Sequence, residues 1–264
     1  MKSTQQSPGE VKEIEKKFVA MTTHPYLAKH IEKAEIDFDI IFFLQDIMKD
    51  ARIDAVSKQE QILSALLVQA AFLTHENVYN KNLVNGTAKK PRQLTVLAGD
   101  FFSSLYYFML VKNTHDDILP VFSSAIQRIN EEKMSLHFAE SQSEEELMNR
   151  LKVVEGGFLF DIASFYQQQE VGCLAETFFL LKRIKHEKQE RDVKYLSAFA
   201  SAIYAFHEGE RKDEVTDWPT ARTRSFLEAK EKELEEALVS QMDACAMQVT
   251  NTLYQRVENW LSGE

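Results

Sequence analysis

Eight glycines and five prolines in 264 residues leave few places where this chain could turn as a hairpin or kink a strand. The long stretches between them are rich in Glu, Lys, Leu, Ala and Gln, which favour helix. No stretch alternates apolar and polar residues in the way a half-buried strand requires. The chain therefore reads as all-α. Its 44% hydrophobic and 27% charged residues suit a soluble protein with a large core and exclude a disordered one.

Residues 1–9, rich in Ser, Gln, Pro and Gly, are expected to be disordered. Residues 10–264 read as a single all-helical domain with no internal repeat and no marked linker. A first helix over 10–22 should stop before His24-Pro25, because the residue ahead of a proline avoids helical backbone. Helical patterning resumes over 36–51. Ser57-Lys58-Gln59-Glu60 has the form of a capping box and predicts the start of the next helix. On that helix Ile62, Leu66, Gln69, Leu73 and Asn77 share one face. Gln93–Val111 follows the basic loop Lys89-Lys90-Pro91-Arg92; it is apolar on nearly every side and is expected as a central, fully buried helix. Further helices are expected over 115–138, 143–168, 171–188 and 190–208, with a second capping box at Ser143–Glu146. Pro219 suits the first turn of one long last helix, striped from Leu234 to Trp260.

Several kinds of chemistry are excluded early. A net charge of −10 is wrong for a nucleic-acid binder, whose affinity comes from cations on phosphates. Cys173 and Cys245 lack the spacing of a zinc or redox motif and suit a reducing compartment. The N-terminus has no signal-peptide pattern, and no uncharged run approaches the roughly 20 residues of a membrane span. A cytoplasmic protein without a transmembrane segment is the expectation. There is no phosphate-cradling glycine loop, HExxH motif, nucleophile elbow or paired CxxC. The seven histidines are scattered and read as surface or capping residues. Asp116-Asp117 and Glu144-Glu145-Glu146 precede apolar runs, where acids favour a helix N-terminus. Lys89-Lys90-Pro91-Arg92 reads as a solvated loop, and Phe101-Phe102 with Tyr106-Tyr107-Phe108 as core filling or the lining of a cavity.

Two segments are more specific. His24-Pro25-Tyr26-Leu27-Ala28-Lys29-His30-Ile31 and Arg92-Gln93-Leu94-Thr95-Val96-Leu97-Ala98-Gly99-Asp100-Phe101-Phe102 resemble component I, the small subunit of heterodimeric heptaprenyl diphosphate synthases. The resemblance implies a degenerate isoprenoid-synthase-like helical bundle. Catalytic relatives carry two aspartate-rich motifs, with carboxylates at i, i+1 and i+4 binding magnesium ions that hold an allylic diphosphate. The first, a His-Asp-Asp-Val-Ile-Asp run upstream of Gly-Asp-Phe/Tyr, corresponds here to His75-Glu76-Asn77-Val78-Tyr79-Asn80 upstream of Gly99-Asp100-Phe101. Its ligand positions become Glu76, Asn77 and Asn80, so one carboxylate of three survives. The second follows a Phe-Gln-Leu-Ile-like stretch that Thr177-Phe178-Phe179-Leu180-Leu181 resembles. Its ligand positions become Lys182, Arg183 and His186, cations where aspartates are needed. A diphosphate-holding Lys-Thr pair falls at Glu155-Gly156.

The resemblance therefore implies a subunit that is not catalytic by itself and binds no cofactor, with magnesium confined to a catalytic partner. The pair would make a hepta- or hexaprenyl diphosphate for the menaquinone side chain. By family analogy the partner surface lies on the helix carrying Leu97, Phe101, Phe102, Leu105 and Tyr106, which could also pair the isolated chain as a homodimer. Ala71 and Phe72 stand where the family sets product length. Two rivals are an unrelated helical adaptor and an active prenyl synthase or terpene cyclase with altered metal ligands.

Overall fold

The computed structural model describes residues 8–80, 89–113, 115–189, 196–209 and 218–263. Among them are ten α-helices, a short 3-10 turn at Leu27–Lys29 and no strand. The helices fall into two compact units, residues 1–119 and 120–264, each taken by itself below.

The first unit holds α1 (Pro8–Thr22), α2 (Phe38–Ile47), α3 (Ala55–Asn80) and α4 (Lys89–Lys112). Of the stretch expected to be disordered, 1–7 lie outside the described residues, while Pro8 and Gly9 open α1. That helix ends two residues before His24-Pro25, as the proline requires. The start of α3 differs from the expectation. Asp54, not Ser57, receives the free amides: Val56 and Ser57 N–H donate to its Oδ1 at 2.9 and 3.0 Å, and Ser57 Oγ donates to Oδ2 at 2.7 Å. An ionised carboxylate at the positive end of the helix dipole outcompetes a serine hydroxyl three residues on.

Ile62, Leu63, Ala65, Leu66, Leu67, Val68, Ala70 and Ala71 are all buried, so α3 is covered on every side along its middle. It packs against α1, α2 and α4. The central helix of this unit is thus α3, whereas α4, expected to be fully buried, is not. Leu94, Ala98, Phe102 and Leu110 face inward, but Val96, Leu97, Tyr107, Phe108 and Val111 are 39–58% exposed. Apolar side chains must be covered by something; their sequence does not say whether by their own chain. By length and composition, residues Lys90–Lys112 form the one described helix that could cross a membrane, with about a quarter of it buried. Asp100 interrupts its exposed face.

The second unit holds α5 (Leu119–His137), α6 (Glu144–Phe165), α7 (Gln169–Gln189), α8 (Ala198–Glu208), α9 (Ala221–Ala244) and α10 (Asn251–Ser262). Ser143 caps α6 as expected, accepting from Glu146 N–H at 3.1 Å. The return bond from Glu146 lands on Gln142 N–H at 2.8 Å rather than on Ser143. The helix expected over 190–208 is seen as α8, capped by Ser197; residues 190–195 lie outside the described residues. Gly209 closes α8 with φ +75°, a conformation that favours glycine. Pro219 stands ahead of the last segment, because Thr220 is the N-cap of α9. That segment is two helices, not one: Thr250 accepts from Leu253 N–H at 3.3 Å and starts α10 afresh. Leu238, Met242, Cys245, Val249, Leu253 and Val257 are buried on both sides of the break, so the stripe continues where the helix does not.

At the α8–α9 corner the His207 ring lies 4.5 Å from the Phe226 ring, centroid to centroid, and Arg222 Nη1 donates to His207 O at 2.6 Å. Burial holds the imidazole below its ordinary pKa; Arg222 lowers it further, against weaker upward pulls from Glu144 and Glu208. Above about pH 6.5 the ring is neutral in both folded and unfolded chains. As pH falls below that value the unfolded chain takes up the proton first, so stability drops until the folded ring is protonated too. The urea midpoint should therefore fall between pH 7.5 and 5.5, and by less in His207→Gln. An equal fall in both would remove His207 as the cause.

Candidate functional site

The aspartate-rich positions divide between the two units. In the first, His75, Glu76 and Asn77 lie near the C-terminal end of α3, beyond its buried stretch, with His75 and Asn77 exposed. The side chain of Asn80 lies outside the described residues. Across from them, Gly99 of α4 takes the His75 ring directly onto its backbone. A Cβ at Gly99 would stand 2.5 Å from ring atoms Cε1 and Nε2. His75 Nε2 is 3.7 Å from Asp100 Oδ1. Of the residues that the resemblance matches to the family pattern, His75, Val78, Gly99 and Asp100, all but Val78 are thus brought together in a helix-packing contact. One turn earlier Ala71 is buried and Phe72 half-buried.

Of the expected partner surface, Leu97 is exposed and Phe102 is buried. Phe101, Leu105 and Tyr106 are half-buried, and burial pushes the Tyr106 hydroxyl pKa up. The Phe101 ring packs edge-on against His24, centroids 6.2 Å apart, and Lys90 Nζ sits 5.6 Å from the centre of the Tyr26 ring. The His24–Ile31 segment therefore lies along α4, which relates the two stretches that carry the sequence resemblance.

In the second unit, Thr177–Leu181 is buried core of α7. The Lys182 ammonium lies 5.9 and 5.8 Å from the Phe178 and Phe179 ring centres. Arg183 Nη2 is 2.8 Å from Glu187 Oε1, and its guanidinium lies 5.3 Å from the Phe199 ring. Ser197 Oγ donates to the same Glu187 oxygen at 2.6 Å. Glu187 is 3% exposed, so this carboxylate is held within the protein by Arg183 and by the cap of α8. His186, beside it, is exposed.

These residues do not fit magnesium. The ion demands six oxygens in near-octahedral array, and the positions that should supply them carry an ammonium and a guanidinium, with Asn77 a neutral amide. Among the described residues no three His, Cys, Asp or Glu stand where they could hold a metal together. At the position that the resemblance sets against the threonine of the Lys-Thr pair, a Cβ on Gly156 would lie 2.3 Å from Glu176 Cα, across the α6–α7 contact.

Two features escaped the sequence. His115 is neither a surface nor a capping histidine: it is 6% exposed, with Nε2 3.0 Å from Glu60 Oε2. Beside the α6–α7 contact, Lys152 reaches Glu176 at 3.2 Å and Arg128 reaches Asp161 at 2.8 Å. Burial pushes the Glu176 carboxyl pKa up, and Lys152 pulls it back. Neither pair shows in the sequence, because each joins residues on different helices.

Among solved structures the chain is similar to isoprenyl diphosphate synthases. A polyprenyl synthase from Caulobacter crescentus, complexed with calcium and isoprenyl diphosphate, superposes with a TM-score of 0.69 at 11% identity, covering 96% of this chain and 93% of that one. Octaprenyl pyrophosphate synthase from Helicobacter pylori gives 0.65 at 13% identity, covering 96% and 99%. The class is therefore the all-α isoprenyl diphosphate synthase fold. Within it, residues 24–235 match the family model of heptaprenyl diphosphate synthase subunit 1, and the chain belongs to that family. Heptaprenyl diphosphate synthase component 1 of Geobacillus stearothermophilus is 30% identical over 143 residues, covering 54% of this chain and 63% of that relative. The match thus spans less than two thirds of the relative's length.

Proposed function

We propose that this chain is the non-catalytic subunit of a two-component trans-polyprenyl diphosphate synthase. It would work in the cytoplasm with a catalytic subunit that carries intact aspartate motifs and all of the magnesium. The product would be a hepta- or hexaprenyl diphosphate for the menaquinone side chain. One observation carries the reading: Arg183, at a metal-ligand position, is built into the fold by Glu187 and Phe199. A subunit that keeps its fold while such a position becomes a structural cation is retained for its surfaces. The exposed apolar side of α4 is the surface we assign to the catalytic subunit, and Ala71 and Phe72 are the positions we assign to product length.

The test is turnover of farnesyl and isopentenyl diphosphates with magnesium by this chain, by a catalytic-type synthase from the same cell, and by the two mixed. Long-chain product is expected from the mixture only. Product from this chain alone would overturn the non-catalytic reading, and a partner indifferent to its presence would restore the unrelated adaptor.

A further inference from the structure

The structure brings the His24–Ile31 segment against the basic stretch that opens α4. Lys90 Nζ lies 5.6 Å from the centre of the Tyr26 ring, and the His30 ring meets that ring edge-on, centroids 5.0 Å apart. Tyr26 N–H donates to His24 Nδ1 at 3.3 Å, which leaves the hydrogen of the neutral imidazole on Nε2. His24, Tyr26, Lys29, His30, Lys90 and Arg92 are all exposed. Across residues 24–35 and 89–92 five cations stand against two acids, Glu32 and Glu35, in a chain of net charge −10.

These cations differ from those of the second unit. There Arg128, Arg150, Lys152, Arg183, Lys185 and Lys230 each pair with a carboxylate. Among the described residues none of Lys29, Lys33, Lys90 and Arg92 stands in an ion pair. We infer that this patch docks the protein on an anionic lipid bilayer, with Tyr26 at the level of the headgroups and the cations over the lipid phosphates. Tyrosine settles at a membrane–water interface, where its ring is half-immersed and its hydroxyl stays wet. Lysine and arginine beside it are drawn to negative headgroups. Two features favour a surface over a single small anion. Cations that are each exposed hold one solvated ion weakly, whereas a bilayer meets all of them at once and their effects multiply. A tyrosine that is 46% exposed gains from entering an interface, and a free ion offers its ring nothing.

None of these residues belongs to the apolar side of α4 assigned to the catalytic subunit, which begins at Val96. Each cation near a charged leaflet contributes about fivefold to partition, so so small a patch gives peripheral, reversible docking that salt reverses. If the product is a hepta- or hexaprenyl diphosphate, every CH₂ of its chain favours the bilayer over water. A synthase held at the headgroups would release it where it comes to rest.

The test is co-sedimentation of the full chain with vesicles. It should sediment at low salt with vesicles of equal parts phosphatidylcholine and phosphatidylglycerol. At high salt, or with phosphatidylcholine alone, it should stay in solution. Lys29→Gln/Lys90→Gln/Arg92→Gln should keep its melting temperature and weaken partition about a hundredfold, at about fivefold per cation. Lys16→Gln/Lys112→Gln/Lys232→Gln removes the same charge at exposed positions elsewhere and should weaken it far less. Inorganic phosphate matched to the lipid phosphate, at constant ionic strength, should not release the chain. No sedimentation with anionic vesicles, or equal losses in the two triple variants, would overturn the inference. Release by inorganic phosphate would overturn it too, by making the patch a site for a small anion. Neither substrate nor catalytic subunit enters this assay, so its failure leaves the proposed function standing, and a failure of turnover leaves the docking standing.

Discussion

Arg183→Asp, which places a carboxylate where the resemblance sets the second aspartate-rich motif, should destabilise the protein severely and confer no magnesium-dependent turnover. Arg183 is the ion-pair partner of Glu187, whose side chain is 3% exposed, at 2.8 Å. Removing one member of a buried pair costs about 3–5 kcal/mol, because the remaining charge stays buried without compensation. The new carboxylate, one helical turn away, adds repulsion. At roughly 2–4 °C per kcal/mol for a chain of this size, the melting temperature should fall by about 10 °C or more. Arg183→Lys should recover part of the loss, and Arg183→Asp/Glu187→Lys more of it, since the pair is then reversed rather than broken. Lys182→Asp is the contrasting case. It gives up a cation over the Phe178 and Phe179 rings, an interaction of about 0.5–1 kcal/mol at a partly exposed site. If Arg183→Asp melts with the wild type, the guanidinium is not structural and the position could still have served a ligand.

The class of the fold was legible in the sequence because it rests on residues that cannot be compensated elsewhere. Few glycines and prolines mean few turns, and capping residues announce helix starts one at a time. Ser143 was legible for that reason. Ser57 misled because Asp54, just upstream, binds the same amides with a full charge. The last segment has the pattern of one helix because a buried stripe keeps the same period across Cys245–Val249 whether or not the backbone remains helical. The employment of Arg183 was not legible, because Ser197 and Phe199, which complete its surroundings, come from another helix. The misreading of α4 has the same root. Hydrophobicity fixes that Leu97 and Phe108 must be covered, and says nothing of which molecule covers them.

The diphosphate-binding pair offers the second test, and Gly156→Thr should fail to give a native α6–α7 contact. The substitution introduces the threonine that the resemblance implies for this position, yet its Cβ would stand 2.3 Å from Glu176 Cα, a backbone atom that no rotamer can move. Ordinary contact begins at 3.4 Å, so α7 must retreat by about 1 Å from a tightly packed interior. Overpacking of this kind costs typically 1–3 kcal/mol and more where backbone must shift. Threonine is a poor helix former, so it returns only a small part of the helix propensity that glycine lacks. Displacing α7 also pulls Glu176 from Lys152 and disturbs the buried Leu180 and Ile184. A loss of roughly 5–10 °C in melting temperature is expected, from the upper part of that range at roughly 2–4 °C per kcal/mol. Gly157→Ala, one residue on, is the control. Its Cβ would meet the Arg128 guanidinium at 3.0 Å and Val153 Cγ1 at 3.3 Å, side-chain atoms that need shift by only a few tenths of an ångström, against the 2.3 Å to backbone at Gly156. Alanine there recovers up to about 1 kcal/mol of helix propensity, so its melting temperature should stay near that of the wild type. Equal losses at 156 and 157 would mean that glycine flexibility, not the helix contact, is what the position requires. A large loss confined to Gly156 would mean that the diphosphate pair cannot return without taking the second unit apart.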